Sequence, residues 1–144
     1  MTRPTITSLI VVAALALAAP SFAASTSDWS KSADTICAKA HAEIAKLPQP
    51  TSAKSLIAST EKFLEIGKRQ TSDLAKLKRP SGDASSIAKL IGYYEQQMGI
   101  VKSLIDAIKH EDQAKMKKLI DQGDEFDDKA GSLVTKLGAK KCAS

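Results

Sequence analysis

Apolar side chains recur every three or four positions along most of this chain. Steps of that size place the apolar residues on one face of a helix. Four segments with this pattern follow one another, at about residues 27–47, 52–78, 83–109 and 112–137. No sustained alternation of apolar and polar residues indicates a strand. The pattern therefore predicts four amphipathic helices and an all-α fold.

Residues at the segment boundaries support this division. Ser27, Asp83 and Asp112 are of the types that cap the N-terminus of a helix. The prolines of residues 48–50 end the first segment, because proline cannot continue the helical hydrogen-bond ladder. Gly138 suits the position just after a helix C-terminus. The sequence thus predicts where each helix begins and ends.

The lengths of the segments and of their connections predict how the helices pack. The last three segments are each long enough for a helix of about 40 Å, and the first is shorter. Short connections place neighbouring helices antiparallel. The apolar step averages close to 3.5 residues, which suits helices packed nearly parallel to one another. We therefore expect an up-down-up-down four-helix bundle.

Residues 1–23 have the layout of a secretory signal peptide. Arg3 precedes an apolar run over residues 9–19, and Ser21-Phe22-Ala23 provides small residues for cleavage. The run is too short for a spanning helix, which needs about 20 apolar residues. We expect cleavage after Ala23, leaving one domain over residues 24–144. The protein would then be exported, to the periplasm or the medium, without a transmembrane segment.

The chain is moderately basic. Its formal net charge is +5, which becomes +4 when Arg3 is removed with the signal peptide. This excess favours contact with an anionic surface and is no indication of nucleic-acid binding. In an up-down bundle the second and fourth helices end side by side, so their cations would form one positive rim. The rim consists of Lys76, Lys78, Arg79, Lys136, Lys140 and Lys141.

The chain has two cysteines, Cys37 and Cys142. Cys37 lies too far beyond the apolar run, and in the wrong local sequence, to be a lipid anchor. Two cysteines in an oxidising compartment most often pair, so we predict a disulfide that joins the two ends of the domain. The tail would fold back beside the first helix. A metal ligand or a pair of free thiols is the alternative.

The chain resembles a family of small exported all-helical bacterial proteins with one early and one C-terminal cysteine. The resemblance implies a fold and an export route, and it carries over no activity and no catalytic residue. Relatives often have Gly-Asp where this chain has Glu111-Asp112. The residues that match are 34–40, 42–44, 47–50, 77–80, 110–112 and 137–143.

Two groups of side chains could hold a metal or a cofactor. His41 or His110, with Met98 or Met116, could ligate haem inside a bundle, although exposed helix ends are ordinary places for histidine. Four carboxylates share one face of the fourth segment and could bind a hard cation weakly. They lack the pattern of an EF-hand and have lysines nearby, so a solvated face is the favoured interpretation. These four are Asp121, Asp124, Glu125 and Asp128.

Glycines inside the predicted helices leave a further choice open. Gly67 and Gly123 lie in the apolar stripes, where they favour close approach of neighbouring helices. Alternatively, the glycines leave space for a small ligand near Tyr93, Tyr94 and Met98.

No arrangement of nucleophile and base, and no phosphate-binding loop, can be assembled from the sequence. We therefore expect a protein that is not an enzyme and has no cofactor. The leading hypothesis is an exported monomer that binds an unknown partner in the cell envelope or outside the cell, and the basic charge would suit an anionic one. The alternative is a carrier of a small ligand, haem or metal in the bundle interior or on the acidic face.

Overall fold

The computed structural model describes residues 24–143, and the predicted signal peptide lies outside the described residues. No strand occurs within residues 24–143, so the prediction of an all-α fold is confirmed. The elements are α1 (Thr26–Ile44), α2 (Ala53–Lys76), α3 (Ala84–Lys109), α4 (Gln113–Leu137) and a 3-10 turn (Lys140–Cys142).

The helices alternate in direction and form the predicted four-helix bundle. One buried cluster combines the first half of α1, the last turns of α2, the first turns of α3 and the last turns of α4. These parts can meet only if successive helices are antiparallel. We call this end of the bundle the closed end. Its largest fully buried side chains are Trp29, Cys37, Leu74, Ile87, Leu90 and Val134.

One of the predicted helix N-caps is wrong, and a second lacks the expected hydrogen bond. The cap of α1 is Ser25 rather than Ser27, and its hydroxyl accepts from the backbone N–H of Asp28 at 3.1 Å. Asp83 is the N-cap residue of α3 as predicted, but its side chain makes no capping hydrogen bond. Its carboxylate instead accepts from the hydroxyl of Thr26 at 2.5 Å. Asp83 therefore ties the start of α3 to the start of α1, a long-range contact that local sequence does not reveal.

The other boundaries agree more closely with the sequence. Asp112 caps α4 by accepting from the backbone N–H of Lys115 at 2.9 Å, and Gly138 ends it in the left-handed conformation, with φ of 76°. The helix α1 ends before Leu47, because a residue that precedes proline disfavours the helical conformation. Glu111 has φ of 55°, a conformation that glycine adopts more readily.

The predicted disulfide is present between Cys37 and Cys142, whose Cα atoms lie 5.1 Å apart. The 3-10 turn that carries Cys142 packs along α1 as expected. The backbone N–H of Lys141 donates to the Asp34 carboxylate at 2.7 Å. The C-terminal tail is thereby fixed to α1 by a covalent bond and a hydrogen bond.

Helix packing is uneven around the bundle. The most extensive contacts join α3 to α4 and α2 to α3, whereas α1 packs mainly on α2 and on the 3-10 turn. As a result, the bundle is less tightly filled beside the second half of α1. Within residues 24–143, no helix is both long enough and apolar enough to cross a membrane.

Candidate functional site

A groove of about 920 Å³ opens beside the second half of α1. It lies between α2, α3 and α4, and residues of α1 and of the C-terminal tail border it. Its volume falls in the range of small-molecule sites, about 300–1,000 Å³. The large apolar side chains in its lining are Ile44, Phe63, Met98, Ile100, Val101, Leu104, Leu119 and Ile120.

The groove is polar at one end and apolar at the other. The side-chain amide of Gln97 donates to the Asp127 carboxylate at 2.5 Å, which fixes the register of α3 against α4. Leu104 follows Gln97 by seven residues, and Ile120 precedes Asp127 by seven. Because α3 and α4 are antiparallel, Leu104 lies level with Ile120, about 10 Å from the contact between Gln97 and Asp127. Ile120 is 52% exposed, the most exposed large apolar side chain within residues 24–143. We call the region around Leu104 and Ile120 the apolar end, and the region around Gln97 and Asp127 the polar end.

Glycines shape the groove in two different ways. Gly67 is in close contact with the side chain of Met98, so a Cβ at this position would overlap the sulfur. The expected close approach is therefore confirmed at Gly67. It is wrong at Gly123, where a Cβ would have no described atom within 4 Å. Gly123 and Gly131 both line the groove, so on α4 the absent side chains leave space that a ligand can fill.

The four carboxylates proposed as weak cation ligands are divided between two faces of α4. Asp121 pairs with Lys117 at 3.1 Å, and this pair lies in a shallow depression on the outer surface. Glu125 also faces this depression and pairs with Lys129 at 2.5 Å. The hydrogen bond from the Lys129 ammonium, followed by its charge, lowers the pKa of Glu125.

Asp124 and Asp128 instead line the groove, together with Asp127. Neither Asp124 nor Asp128 forms an ion pair with another residue in the described part of the chain. Within residues 24–143, no three histidine, cysteine, aspartate or glutamate side chains are placed to hold a metal ion.

Tyr94 connects the polar end of the groove to the disulfide-bonded tail. Its hydroxyl donates to the backbone carbonyl of Cys142 at 3.4 Å. Burial, with a smaller contribution from the negative charge of Asp127, raises the pKa of Tyr94 to about 12. The field of Asp127 therefore extends into the groove as far as this phenol.

The candidate haem ligands are only partly brought together. His41 and Met98 both line the groove, whereas His110 and Met116 are not among its lining residues. The Nδ1 atom of His110 lies 2.9 Å from the backbone carbonyl of Asp106 at the exposed end of α3. Of the four candidate haem ligands, only one histidine and one methionine therefore lie at the groove.

The six cations of the predicted rim are all exposed and lie at the closed end of the bundle. Carboxylates are interspersed among them. Lys76 pairs with Asp73 at 3.0 Å, and Asp34 accepts from the backbone of Lys141. The rim is therefore partly neutralised by its neighbours.

The groove also contains three polar residues that were not among the candidates predicted from the sequence, namely Gln70, Gln97 and Asp127. A signal for Gln70 was available, since the apolar stripe of α2 passes from Gly67 to Leu74 with Gln70 between them. A polar side chain at such a position points either to a buried partner or to an opening in the core. Here Gln70 donates to the Cys37 sulfur at 3.3 Å and also borders the groove.

No protein-family model, curated protein or solved structure matches this chain. Its function is accordingly argued from the geometry and charge of the groove.

Proposed function

We propose that this chain is a non-catalytic, exported, monomeric protein that binds a small ligand in the groove between its helices. The observation that carries the proposal is a cleft of about 920 Å³ whose lining combines large apolar side chains with polar ones. Ligand sites are typically of this kind, because apolar walls supply affinity and a few polar groups supply orientation. Of the two hypotheses drawn from the sequence, this geometry favours a ligand in the bundle interior.

Export is supported by three independent features. Residues 1–23 have the layout of a signal peptide, and the disulfide between Cys37 and Cys142 suits an oxidising compartment. The resemblance to small exported helical proteins of bacteria points to the same route. The ligand would therefore be met in the periplasm or in the medium.

A binding role without catalysis is supported by the chemistry of the lining. The hydroxyls that border the groove belong to Thr71, Thr135 and Tyr94, and no serine, lysine or arginine is among its lining residues. The hydroxyl of Thr71 donates to the carbonyl of Gly67 at 2.8 Å. Cys142 is held in the disulfide. The groove thus offers contacts for a ligand and no activated nucleophile.

A second candidate function is binding of an anionic partner at the closed end, where the six cations of the rim lie together. This binding would weaken steeply with added salt, since exposed charges are screened. Replacing Arg79 and Lys140 with glutamine should reduce retention on anionic lipid vesicles. Retention that is unchanged in this double variant would exclude the rim as the binding surface.

The groove can be tested with a neutral fluorescent probe and a variant that fills it. Nile red should bind the unaltered protein with enhanced emission. Gly123→Leu should abolish that signal, because the new side chain projects into open space within the groove. The matched control is Gly99→Leu, since Gly99 also has no described atom within 4 Å of an added Cβ and is not among the lining residues. Equal probe binding by both variants would refute the proposed site.

A further inference from the structure

The charge of the groove is opposite to that of the whole chain. The protein carries a net charge of +5, yet the groove lining contains three aspartates and no lysine or arginine. The nearby cation Lys129 is already paired with Glu125 on the outer side of α4. A ligand entering the groove therefore meets a locally negative surface on a positive protein.

The aspartates lie along one edge of the groove rather than at its base. Asp124, Asp127 and Asp128 are all exposed, so a cation beside them would keep much of its hydration. Asp127 is held in place by the amide of Gln97. Its negative charge contributes to the raised pKa of Tyr94 across the groove. Three carboxylates, one of them held by Gln97, therefore concentrate negative charge along this edge of the groove.

The apolar end has no comparable polar group. Phe63 of α2, Leu104 of α3 and Leu119 of α4 line it, and Ile120 remains half exposed at its margin. Apolar surface exposed in this way is stabilised when a ligand covers it. The two ends are about 10 Å apart. A ligand that fits both would therefore need an apolar part at one end and a charged group at the other.

From this division we infer that the ligand of the groove is a cationic amphiphile, an alkyl chain that carries an ammonium group. The alkyl chain lies along Phe63, Leu104 and Ile120, and the ammonium group lies beside Asp124 and Asp128. The inference rests on the proposed function, because it assumes that the groove is the binding site. It specifies the charge and the orientation of the ligand, which the proposed function leaves open.

Three ligands with the same alkyl chain test the charge preference. Dodecyltrimethylammonium, dodecanoate and dodecyl maltoside would be titrated below their micelle concentrations at low salt, and displacement of Nile red would be measured. We expect the ammonium compound to bind about tenfold more tightly than dodecanoate, because it gains attraction where the carboxylate meets repulsion. Lengthening the alkyl chain should tighten binding by about fourfold per methylene until the apolar end is filled.

Two variants test whether the preference for a positively charged ligand arises in the groove. Replacing both Asp124 and Asp128 with asparagine should weaken binding of the ammonium compound about fivefold and leave dodecyl maltoside unaffected. Asp121→Asn is the matched control, since this carboxylate lies on the same helix but faces the outer depression. It should change neither affinity. Equal losses in the control and the double variant would overturn the inference.

The remaining outcomes separate this inference from the proposed function. If Nile red and dodecyl maltoside bind in the groove but the ammonium compound has no advantage over dodecanoate, the cationic ligand is wrong and the binding site stands. If none of them binds, both are wrong. Displacement of the ammonium compound by micromolar calcium would assign the aspartates to a metal ion instead. A dimer in sedimentation experiments that Gly123→Leu abolishes would assign the groove to a second copy of the chain.

Discussion

The hydroxyl of Tyr94 in α3 donates to the backbone carbonyl of Cys142, whose sulfur is bonded to Cys37 in α1. The contact joins the polar end of the groove to the disulfide. Cys142 and Ala143 themselves border the groove. The disulfide therefore does more than connect the ends of the chain, since it also holds one wall of the candidate site.

The raised pKa of Tyr94 predicts how stability changes in alkaline solution. Its pKa is about 12 in the folded protein, compared with 10 for an ordinary tyrosine. Between these values the unfolded chain loses the phenolic proton and the folded chain keeps it. The unfolded state then binds fewer protons, so the free energy of unfolding falls as the pH rises from about 10 to about 12. The loss attributable to Tyr94 is at most about 2–3 kcal/mol.

A phenylalanine variant isolates this effect from the lysines, which titrate in the same range. Urea unfolding would be measured for the unaltered protein and for Tyr94→Phe at about pH 9 and about pH 11.5. The unaltered protein should lose more stability between the two conditions than the variant does. If both lose the same amount, Tyr94 is not protected from ionisation by its surroundings.

The disulfide predicts a second effect on stability. It joins residues 105 positions apart, and a crosslink over so long a loop restricts the unfolded chain. The chain-entropy model gives up to about 4.7 kcal/mol, and measured values are usually about 2–4 kcal/mol. Replacing both cysteines with alanine should lower the melting temperature by on the order of 10 °C. Helical circular dichroism at room temperature should persist, because α3 packs against both α2 and α4 without involving the bond.

Two measurements accompany this variant. Reductant should lower the melting temperature of the unaltered protein and leave that of the double variant unchanged. Nile red binding should weaken when the tail is released, since Cys142 and Ala143 border the groove. A melting temperature that reductant does not alter would show that the bond contributes nothing measurable to stability.

The helices could be predicted from the sequence because their cause is local. Each apolar stripe repeats at the helical period, and Asp112 and Gly138 satisfy backbone groups of their own helix. Asp83 is the N-cap of α3 as predicted, but its side chain does not make the capping hydrogen bond that a local rule implies. Its carboxylate is engaged by Thr26, which is distant in sequence, and no local rule weighs that competing contact. The disulfide could be predicted because two cysteines allow a single intramolecular pair.

Space for a ligand near Tyr94 and Met98 was one of two interpretations of the glycines, but the sequence could not decide between them. The groove results from how tightly the helices pack against one another. Periodicity gives the apolar face of α4 but not the distance to α1. The four acidic residues show the same limit. Their spacing placed them on one face, yet two pair with lysines outside and Asp124 and Asp128 border the groove. Residues that share one face of a helix in the sequence pattern can end in different surroundings, because the neighbouring helices cover only part of that face.

The glycines provide a last prediction, which tests the packing of α2 against α3. Gly99→Ala should stabilise the protein by about 1 kcal/mol, because alanine favours the helix and the added Cβ meets open space. Gly67→Ala should gain less or destabilise, since its Cβ would displace the side chain of Met98. In a Met98→Ala background that obstacle is gone, and Gly67→Ala should then be more favourable than in the unaltered protein. Urea unfolding of the four proteins of this double-mutant cycle measures the difference. The same free-energy change for Gly67→Ala in both backgrounds would show that the contact with Met98 imposes no cost.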